Sequence, residues 1–143
     1  YNYYTNFLKS YDIDINKQRS EIIFEIVKDR SLTLLEMLSE SKKFFHAIDF
    51  TDDDFEVLNA QSSQSMFKYI EENITSVNFN SMDDIANFIN QISEVLQIKG
   101  KDLFFPLRLA IYGECRGPEI PKIMQALGCD KTKDRIERVL RNG

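Results

Sequence analysis

The sequence is poor in the residues on which catalytic sites depend. Its 143 residues include one histidine, five glycines and no tryptophan. The single histidine, His46, gives no convincing Ser-His-Asp set and is expected to be a partly buried or surface residue near a helix end. The glycines are scattered, so the chain has no glycine-rich phosphate loop. We therefore expect no catalytic residues in this chain.

Cysteine is also scarce, and this argues against a disulfide framework or a zinc site. Cys115 and Cys129 form no Cys-x-x-Cys pair, so a tetrahedral zinc site would need carboxylate ligands, which is rare. Disulfides concentrate in secreted chains, so free thiols in a reducing cytosol are expected. The acidic run at residues 52–54 lacks the spacing of a calcium loop and is better explained as a helix start. No metal site is predicted.

Long apolar runs are absent. No segment approaches the roughly 18 apolar residues of a membrane span, so no membrane partner is expected. The first residues, Tyr1-Asn2-Tyr3-Tyr4, lack the basic head and apolar stretch of a signal peptide, and they lack an initiator methionine. We expect a fragment of a longer cytoplasmic protein. With 43% hydrophobic and 29% charged residues, the composition is that of a folded globular chain.

The charge is unevenly distributed. The formal net charge is −5, which at first argues against a nucleic-acid partner. However, residues 46–98 hold 1 basic and 10 acidic side chains, whereas residues 99–143 hold 10 basic and 6 acidic ones. Residues 1–45 are balanced, with 7 of each. A one-sided basic surface is thus predicted if the two ends of the chain meet in space.

Helical periodicity runs through almost the whole chain, and no strand is predicted. Helix starts are indicated at Thr51 and Ser81, where a hydroxyl precedes acidic residues. The clearest apolar stripe belongs to the helix that follows Ser81, and consists of Ile85, Phe88, Ile89, Ile92 and Leu96. The pattern predicts an all-α fold of two packed helical subdomains, at 1–77 and 78–143, with the border at residues 76–80.

One stretch, FFPLRLAIYGECRGPEIPKIMQALG at residues 104–128, concentrates proline, glycine and arginine between two short helix patterns. Pro106 is expected in the first turn of its helix, and Pro118 at the first residue of the next one. The second helix would point exposed N–H groups outward, which can receive a phosphate or a base edge. Physical chemistry alone favours a plain structural hairpin and leaves a contact with single-stranded nucleic acid open.

The run from Gly100 to Gly128 also carries a family resemblance. It resembles the C-terminal part of bacterial glutamyl-tRNA synthetases, in which Gly-Lys-x-Leu-x-x-Pro-Leu-Arg-x-Ala-x-x-Gly precedes a Gly-Pro or Thr-Pro turn and a helix ending in Leu-Gly. The match is ungapped. The stretch Asp29-Arg30-Ser31-Leu32-Thr33-Leu34 is similar to the family's Arg-x-x-Thr-Leu element.

This resemblance implies an anticodon-binding helical bundle or cage. Its 1–77 subdomain would carry Arg30, and its 78–143 subdomain would carry the anticodon-contacting turn. The parent would be a class I glutamate–tRNA ligase that joins glutamate to tRNA with ATP and magnesium in a catalytic half upstream. The fragment itself would need no cofactor.

The implied tRNA contacts are few. An arginine at the Arg30 position contacts the anticodon in the family, as does the turn before the second helix. Arg30 would donate to a pyrimidine edge, while Pro118 and Ile120 would offer an apolar platform for a base. Together with the remaining polar and backbone groups, the implied contact residues are Arg30, Arg108, Arg116, Gly117, Pro118, Glu119 and Ile120.

The expected partner is a glutamate-accepting tRNA, bound by a monomer, and no DNA. Whether a glutamine-accepting tRNA is also recognised stays open. A rival from another class is a helical protein–protein interaction module without tRNA binding. That module fits the acidic middle segment but leaves the ungapped match at 100–128 unexplained.

Overall fold

The computed structural model describes residues 17–28 and 33–140, and these residues form helices joined by short turns. None of them lies in a strand, which confirms the predicted all-α class. The contacts divide the chain into two units, Tyr1–Ile48 and Asp49–Gly143. Each unit is described by itself below.

The first unit contains two described helices, α1 (Lys17–Lys28) and α2 (Leu34–Lys42), which pack against each other. Ile23 and Val27 of α1 are fully buried, as the apolar stripe of that helix predicts. The Thr33 hydroxyl accepts from the Glu36 backbone N–H at 3.1 Å and caps α2. The sequence pattern also predicts a helix at about residues 3–9, which lie outside the described residues, as does Arg30.

The described part of the second unit, residues 49–140, contains five α-helices and one 3₁₀ turn. They are α3 (Asp52–Leu58), α4 (Gln61–Asn73), the 3₁₀ turn Ile74–Ser76, α5 (Met82–Leu96), α6 (Lys101–Tyr112) and α7 (Ile120–Leu140). The last helix, α7, packs against α4, α5 and α6 and so forms the centre of the unit. The predicted subdomain border after residue 77 stays a prediction; it falls inside this unit, where α4 packs against α6 and α7.

Two predicted helix starts are confirmed by their hydrogen bonds. The Thr51 hydroxyl accepts from the Asp54 N–H at 3.2 Å, and the Asp54 carboxylate accepts from the Thr51 N–H at 2.9 Å. This reciprocal pair is a capping box, so the acidic run at residues 52–54 serves a helix end. The Ser81 hydroxyl accepts from Asp84 in the same way at 3.2 Å. The α5 stripe behind it is buried at Ile85, among others.

Gly128 has φ 80° and ψ 169°, which are not helical angles. It therefore divides α7 into two helical segments joined by a kink. The sequence predicted a helix end there, and only glycine adopts such backbone angles readily. Pro106 departs from its prediction, because α6 already begins at Lys101. Leu103 and Phe104 donate their N–H groups to the Gly100 carbonyl, at 3.1 and 3.0 Å, and this starts the helix one turn early.

Candidate nucleic-acid interface

The turn between α6 and α7 occupies residues 113–119. It begins at Gly113, whose φ of 90° and ψ of 3° end α6 in a left-handed conformation. It ends at Glu119, whose carbonyl accepts the Ile123 N–H at 3.1 Å and so opens α7. Pro118 therefore lies two residues before the helix, rather than at its first residue as predicted. Pro121 takes the second helical position instead.

The Arg108 side chain of α6 anchors this turn by two hydrogen bonds. Its Nε donates to the Pro118 carbonyl at 3.0 Å, and its Nη1 donates to the Cys115 carbonyl at 2.9 Å. Hydrogen bonds from a charged donor are stronger than those between neutral groups. The planar guanidinium thus fixes two carbonyls of the turn at once. These two bonds make Arg108 a positioning residue for the turn, whereas its predicted contact with tRNA stays a prediction.

Gly117 allows the turn to lie directly on a buried aromatic ring. A Cβ atom at this position would sit 2.9 Å from Cε2 and 3.2 Å from Cδ2 of Tyr112. Tyr112 is only 1% exposed, so its ring has little room to retreat. Glycine is therefore required at position 117 because the backbone lies directly against the Tyr112 ring. The side chains of Tyr112 and Arg108, both from α6, contact the turn here.

Burial separates the predicted contact residues of the turn into two groups. Arg116 and Glu119 are exposed, and Gly117 is partly exposed. Pro118 is buried, and Ile120 is 1% exposed. The expectation that Pro118 and Ile120 offer an apolar platform for a base is therefore not met in this conformation. Their side chains pack inward, because the turn folds back over the end of α6.

Arg116 belongs to a second feature that the sequence did not reveal. Its guanidinium carbon lies 6.0 Å from the centroid of the Phe105 ring, and the Lys101 Nζ lies 5.8 Å from the same centroid. Both distances are those of cation–π contacts. Lys101 and Phe105 stand one helical turn apart on α6, so their spacing is a signal that helical periodicity could have given.

Two arginines of the last helix contact other parts of the fold. Arg135 is 7% exposed and its Nη1 donates to the Ile111 carbonyl in the last turn of α6. A cation at a helix C-terminus also opposes the negative end of the helix dipole. Arg138 is exposed and lies 5.7 Å from the centroid of the Phe50 ring. Arg135 therefore stabilises the fold and is not available to RNA.

The first-unit contact, Arg30, lies outside the described residues. The predicted convergence of basic residues from 1–45 and 99–143 on one face accordingly stays a prediction. Among residues 17–28 and 33–140, no three His, Cys, Asp or Glu side chains are grouped so as to hold a metal ion. His46 is exposed, as expected. Within the same residues, no helix combines the length and apolar character needed to cross a membrane.

The two cysteines are free thiols in the structure. Burial raises the pKa of the Cys115 thiol, and the Asp54 carboxylate raises it further, against the lowering effect of Arg108 and Arg116. Burial likewise raises the pKa of the Cys129 thiol, with a further contribution from Asp130. Both side chains therefore stay protonated and weakly nucleophilic at neutral pH.

We expect the double variant Cys115→Ser and Cys129→Ala to keep its RNA affinity within a few-fold of the unchanged chain. The carbonyl of Cys115, and not its thiol, accepts from Arg108, so the turn keeps its anchor. Cys129 makes only a weak contact, with Sγ 3.8 Å from the Ile74 carbonyl. A filter-binding titration checks this. A large loss of affinity in a variant with an unchanged unfolding transition would show that a thiol takes part in binding.

The family of the chain is evident from its similarity to known protein domains. The profile described as an anticodon binding domain matches residues 3–140, which is nearly the whole chain. The chain belongs to the anticodon-binding domain family. The resemblance seen in the sequence is thereby confirmed.

Relatives of the domain are glutamate–tRNA ligases. It is 27% identical to glutamate–tRNA ligase 2 of Caldanaerobacter subterraneus subsp. tengcongensis over 82% of its own length and 24% of that protein. It is 27% identical to the enzyme of Geobacillus thermodenitrificans over 89% of its length and 26% of that protein. The domain therefore spans about a quarter of the length of the relatives that it matches.

A solved structure agrees on the fold. The domain superposes on a glutamate tRNA ligase from Elizabethkingia meningosepticum with a TM-score of 0.86 and 22% identity, covering 96% of the domain and 28% of that chain. At this level of identity the superposition supports the all-α fold and its helix order.

Proposed function

We propose that the domain binds the anticodon loop of a glutamate-accepting tRNA as the C-terminal region of a glutamate–tRNA ligase. The observation that carries this proposal is the turn at 113–119, which is anchored by Arg108 and packed through Gly117 within a domain of the anticodon-binding family. Such a turn offers polar groups in fixed positions, so that little conformational entropy is lost when RNA binds.

The exposed groups of the turn suit the recognition of unstacked bases. RNA is read most specifically where bases are splayed out of a helix, because their Watson–Crick edges are then free. Arg116 can donate to base or phosphate oxygens, and the Glu119 carboxylate can accept from base amino groups. Buried Pro118 and Ile120 shape the backbone around these groups. Recognition by the turn thus depends on polar and backbone contacts.

The remainder of the parent protein supplies the chemistry in this proposal. A catalytic half outside this chain would bind ATP and magnesium and attach glutamate to the tRNA, in the cytoplasm and as a monomer. The domain contributes selection of the tRNA and needs no cofactor for it. A glutamine-accepting tRNA would be a second substrate only if the third anticodon base were tolerated.

Phosphate contacts should dominate the affinity of the isolated domain, although its net charge is −5. If two or three phosphates are contacted, affinity should fall about tenfold between 50 and 200 mM salt. Fluorescence titration of the glutamate tRNA at the two concentrations measures this. An affinity that does not change with salt would contradict electrostatic binding, and no binding at either concentration would favour the protein-interaction module instead.

Arg30 is proposed to read the third anticodon base. Read from 5′ to 3′, the third base is cytosine in the glutamate anticodon and guanine in the glutamine anticodon. Cytosine presents two acceptors, O2 and N3, to a guanidinium that has only donors. Guanine presents donors at N1 and N2, which would face the donors of Arg30. The arginine therefore favours the glutamate tRNA.

Replacing Arg30 with glutamine in the full-length enzyme should narrow the preference for the glutamate tRNA, by about tenfold if one base contact is lost. The ratio of kcat/KM for charging the two tRNAs measures this. Lys28→Gln is the matched control: Lys28 is an exposed cation two residues before Arg30 in the sequence, paired with Glu25 at 2.7 Å. It should lower both rates alike. An unchanged ratio in a folded Arg30→Gln enzyme would reject the base contact.

A further inference from the structure

A groove lies next to the turn, on the side of α6 that faces the α3–α4 connection. Its volume is about 220 Å³. It is lined by Val57, Ala60, Ser62, Ser63, Lys101, Asp102, Phe105 and Pro106. The Arg116 guanidinium of the turn lies over Phe105, which lines the groove, so the turn and the groove are neighbours. A ligand strand that contacts the turn can therefore continue into the groove.

The lining of the groove combines an apolar surface with a few polar groups. Phe105, Pro106 and the half-exposed Val57 supply the apolar part, while Ser62 and Asp102 stand exposed at its rim. A hydroxyl and a carboxylate can bond the amino and imino groups of a base edge. The combination of a flat ring with a few hydrogen-bonding groups suits a planar heteroaromatic ligand.

Two cations lie beside the Phe105 ring, and they favour a ligand that carries a negative charge. Lys101 Nζ and the Arg116 guanidinium both lie within about 6 Å of the ring centroid, so both reach a group held against the ring. Both side chains are exposed and keep their charge accessible to solvent. Asp102 at the rim opposes an anion there, so a phosphate belongs on the side of the two cations and a base on the side of Asp102.

We infer that the groove binds one unstacked nucleotide of the anticodon arm, next to but outside the three anticodon bases. Its base packs against Phe105 in place of the two cations and bonds Asp102 or Ser62, while Lys101 and Arg116 move off the ring to bind its phosphate. This inference rests on the proposed function, because it requires an RNA on the turn. It assigns the groove a positioning role, in which one flanking nucleotide fixes the register of the anticodon.

The test is a titration of the domain with the glutamate anticodon stem–loop RNA. Phe105→Leu should weaken binding about tenfold, as expected for loss of a base–aromatic contact. Phe105→Tyr keeps the ring and should lose less affinity than Phe105→Leu. Lys101→Gln should weaken binding a few-fold and lower the salt slope by roughly 0.7, the value for one phosphate of a single strand. Phe79→Leu and Lys68→Gln, which do not line the groove, are the matched controls and should have little effect.

The decisive arm replaces the loop nucleotides outside the anticodon one at a time by abasic ones. At one position the unchanged domain and Phe105→Leu should bind with equal affinity, because the base that Phe105 contacts is already gone. If Phe105→Leu folds poorly, Lys101→Gln is compared with the unchanged domain on loops in which one phosphate at a time is replaced by an uncharged methylphosphonate, and at one position the two proteins should bind with equal affinity. The inference would be overturned if Phe105→Leu and Lys101→Gln bound like the unchanged domain, or if they lost the same affinity on every RNA. In either case the proposed function stands as long as binding still depends on the anticodon. If changing the anticodon itself has no effect, the proposed function fails as well.

Discussion

Replacing Arg108 with lysine is expected to lower the free energy of unfolding by about 2–3 kcal/mol and to weaken RNA binding about tenfold. The guanidinium spans two carbonyls of the turn, at Cys115 and Pro118, and each such charge-assisted bond contributes about 1.5–3 kcal/mol. A lysine ammonium is a compact charge on a flexible stem and cannot fix both acceptors in one plane. The turn would then lose its fixed geometry, although the net charge is unchanged. Urea unfolding and RNA titration of the same variant measure both effects.

Arg116→Gln is the contrasting control for this prediction. Arg116 lies on the same turn but is exposed, so its replacement should change the free energy of unfolding by less than about 0.5 kcal/mol. It should still weaken RNA binding a few-fold, because a cation is lost from the binding surface. An Arg108→Lys variant with unchanged stability would show that the two hydrogen bonds do not hold the turn.

Gly117→Ala is expected to destabilise the domain by about 1–3 kcal/mol, which is the usual cost of overpacking a filled site. The new methyl group would lie 2.9 Å from the Tyr112 ring, and that ring is buried. Either the ring or the turn must move, and a displaced turn should also bind RNA more weakly. Thermal unfolding measures the first effect, and the same titration measures the second.

A second substitution separates this clash from other causes. Tyr112→Leu removes the ring atoms that Gly117 approaches, at its own cost in buried surface. In that background Gly117→Ala should cost less than it does in the unchanged domain, since contacting residues are coupled. Strictly additive losses of stability would contradict a steric role for the ring.

The helices were predictable because their signals are local. The stripe led by Ile85 repeats at helical spacing, and the caps at Thr51 and Ser81 depend on residues only three positions away. The exact start of α6 was not predictable in the same way. Gly100 begins that helix without a capping side chain, so the sequence pattern pointed to Pro106 as its first turn.

The turn was predictable in its location, but the contacts of its side chains were not. The spacing from Gly100 to Gly128 indicates the turn, yet it does not tell which side chains face inward. Arg108 and Arg135 bond backbone carbonyls, because helix ends and turns present unpaired acceptors to nearby cations. Ile120 is buried because α7 begins at this residue and packs against α6. These roles depend on contacts between separate elements, 7 to 24 residues apart in the chain, which helical periodicity does not report.

Recognition of the anticodon by the domain can be measured by a competition titration. A labelled glutamate anticodon stem–loop is bound to the domain and displaced by unlabelled stem–loops that differ only in their three anticodon bases. The account predicts that the glutamate anticodon competes best and that each altered base weakens competition by roughly fivefold to a hundredfold, the range for one lost base contact. Equal competition by all of the stem–loops would contradict it.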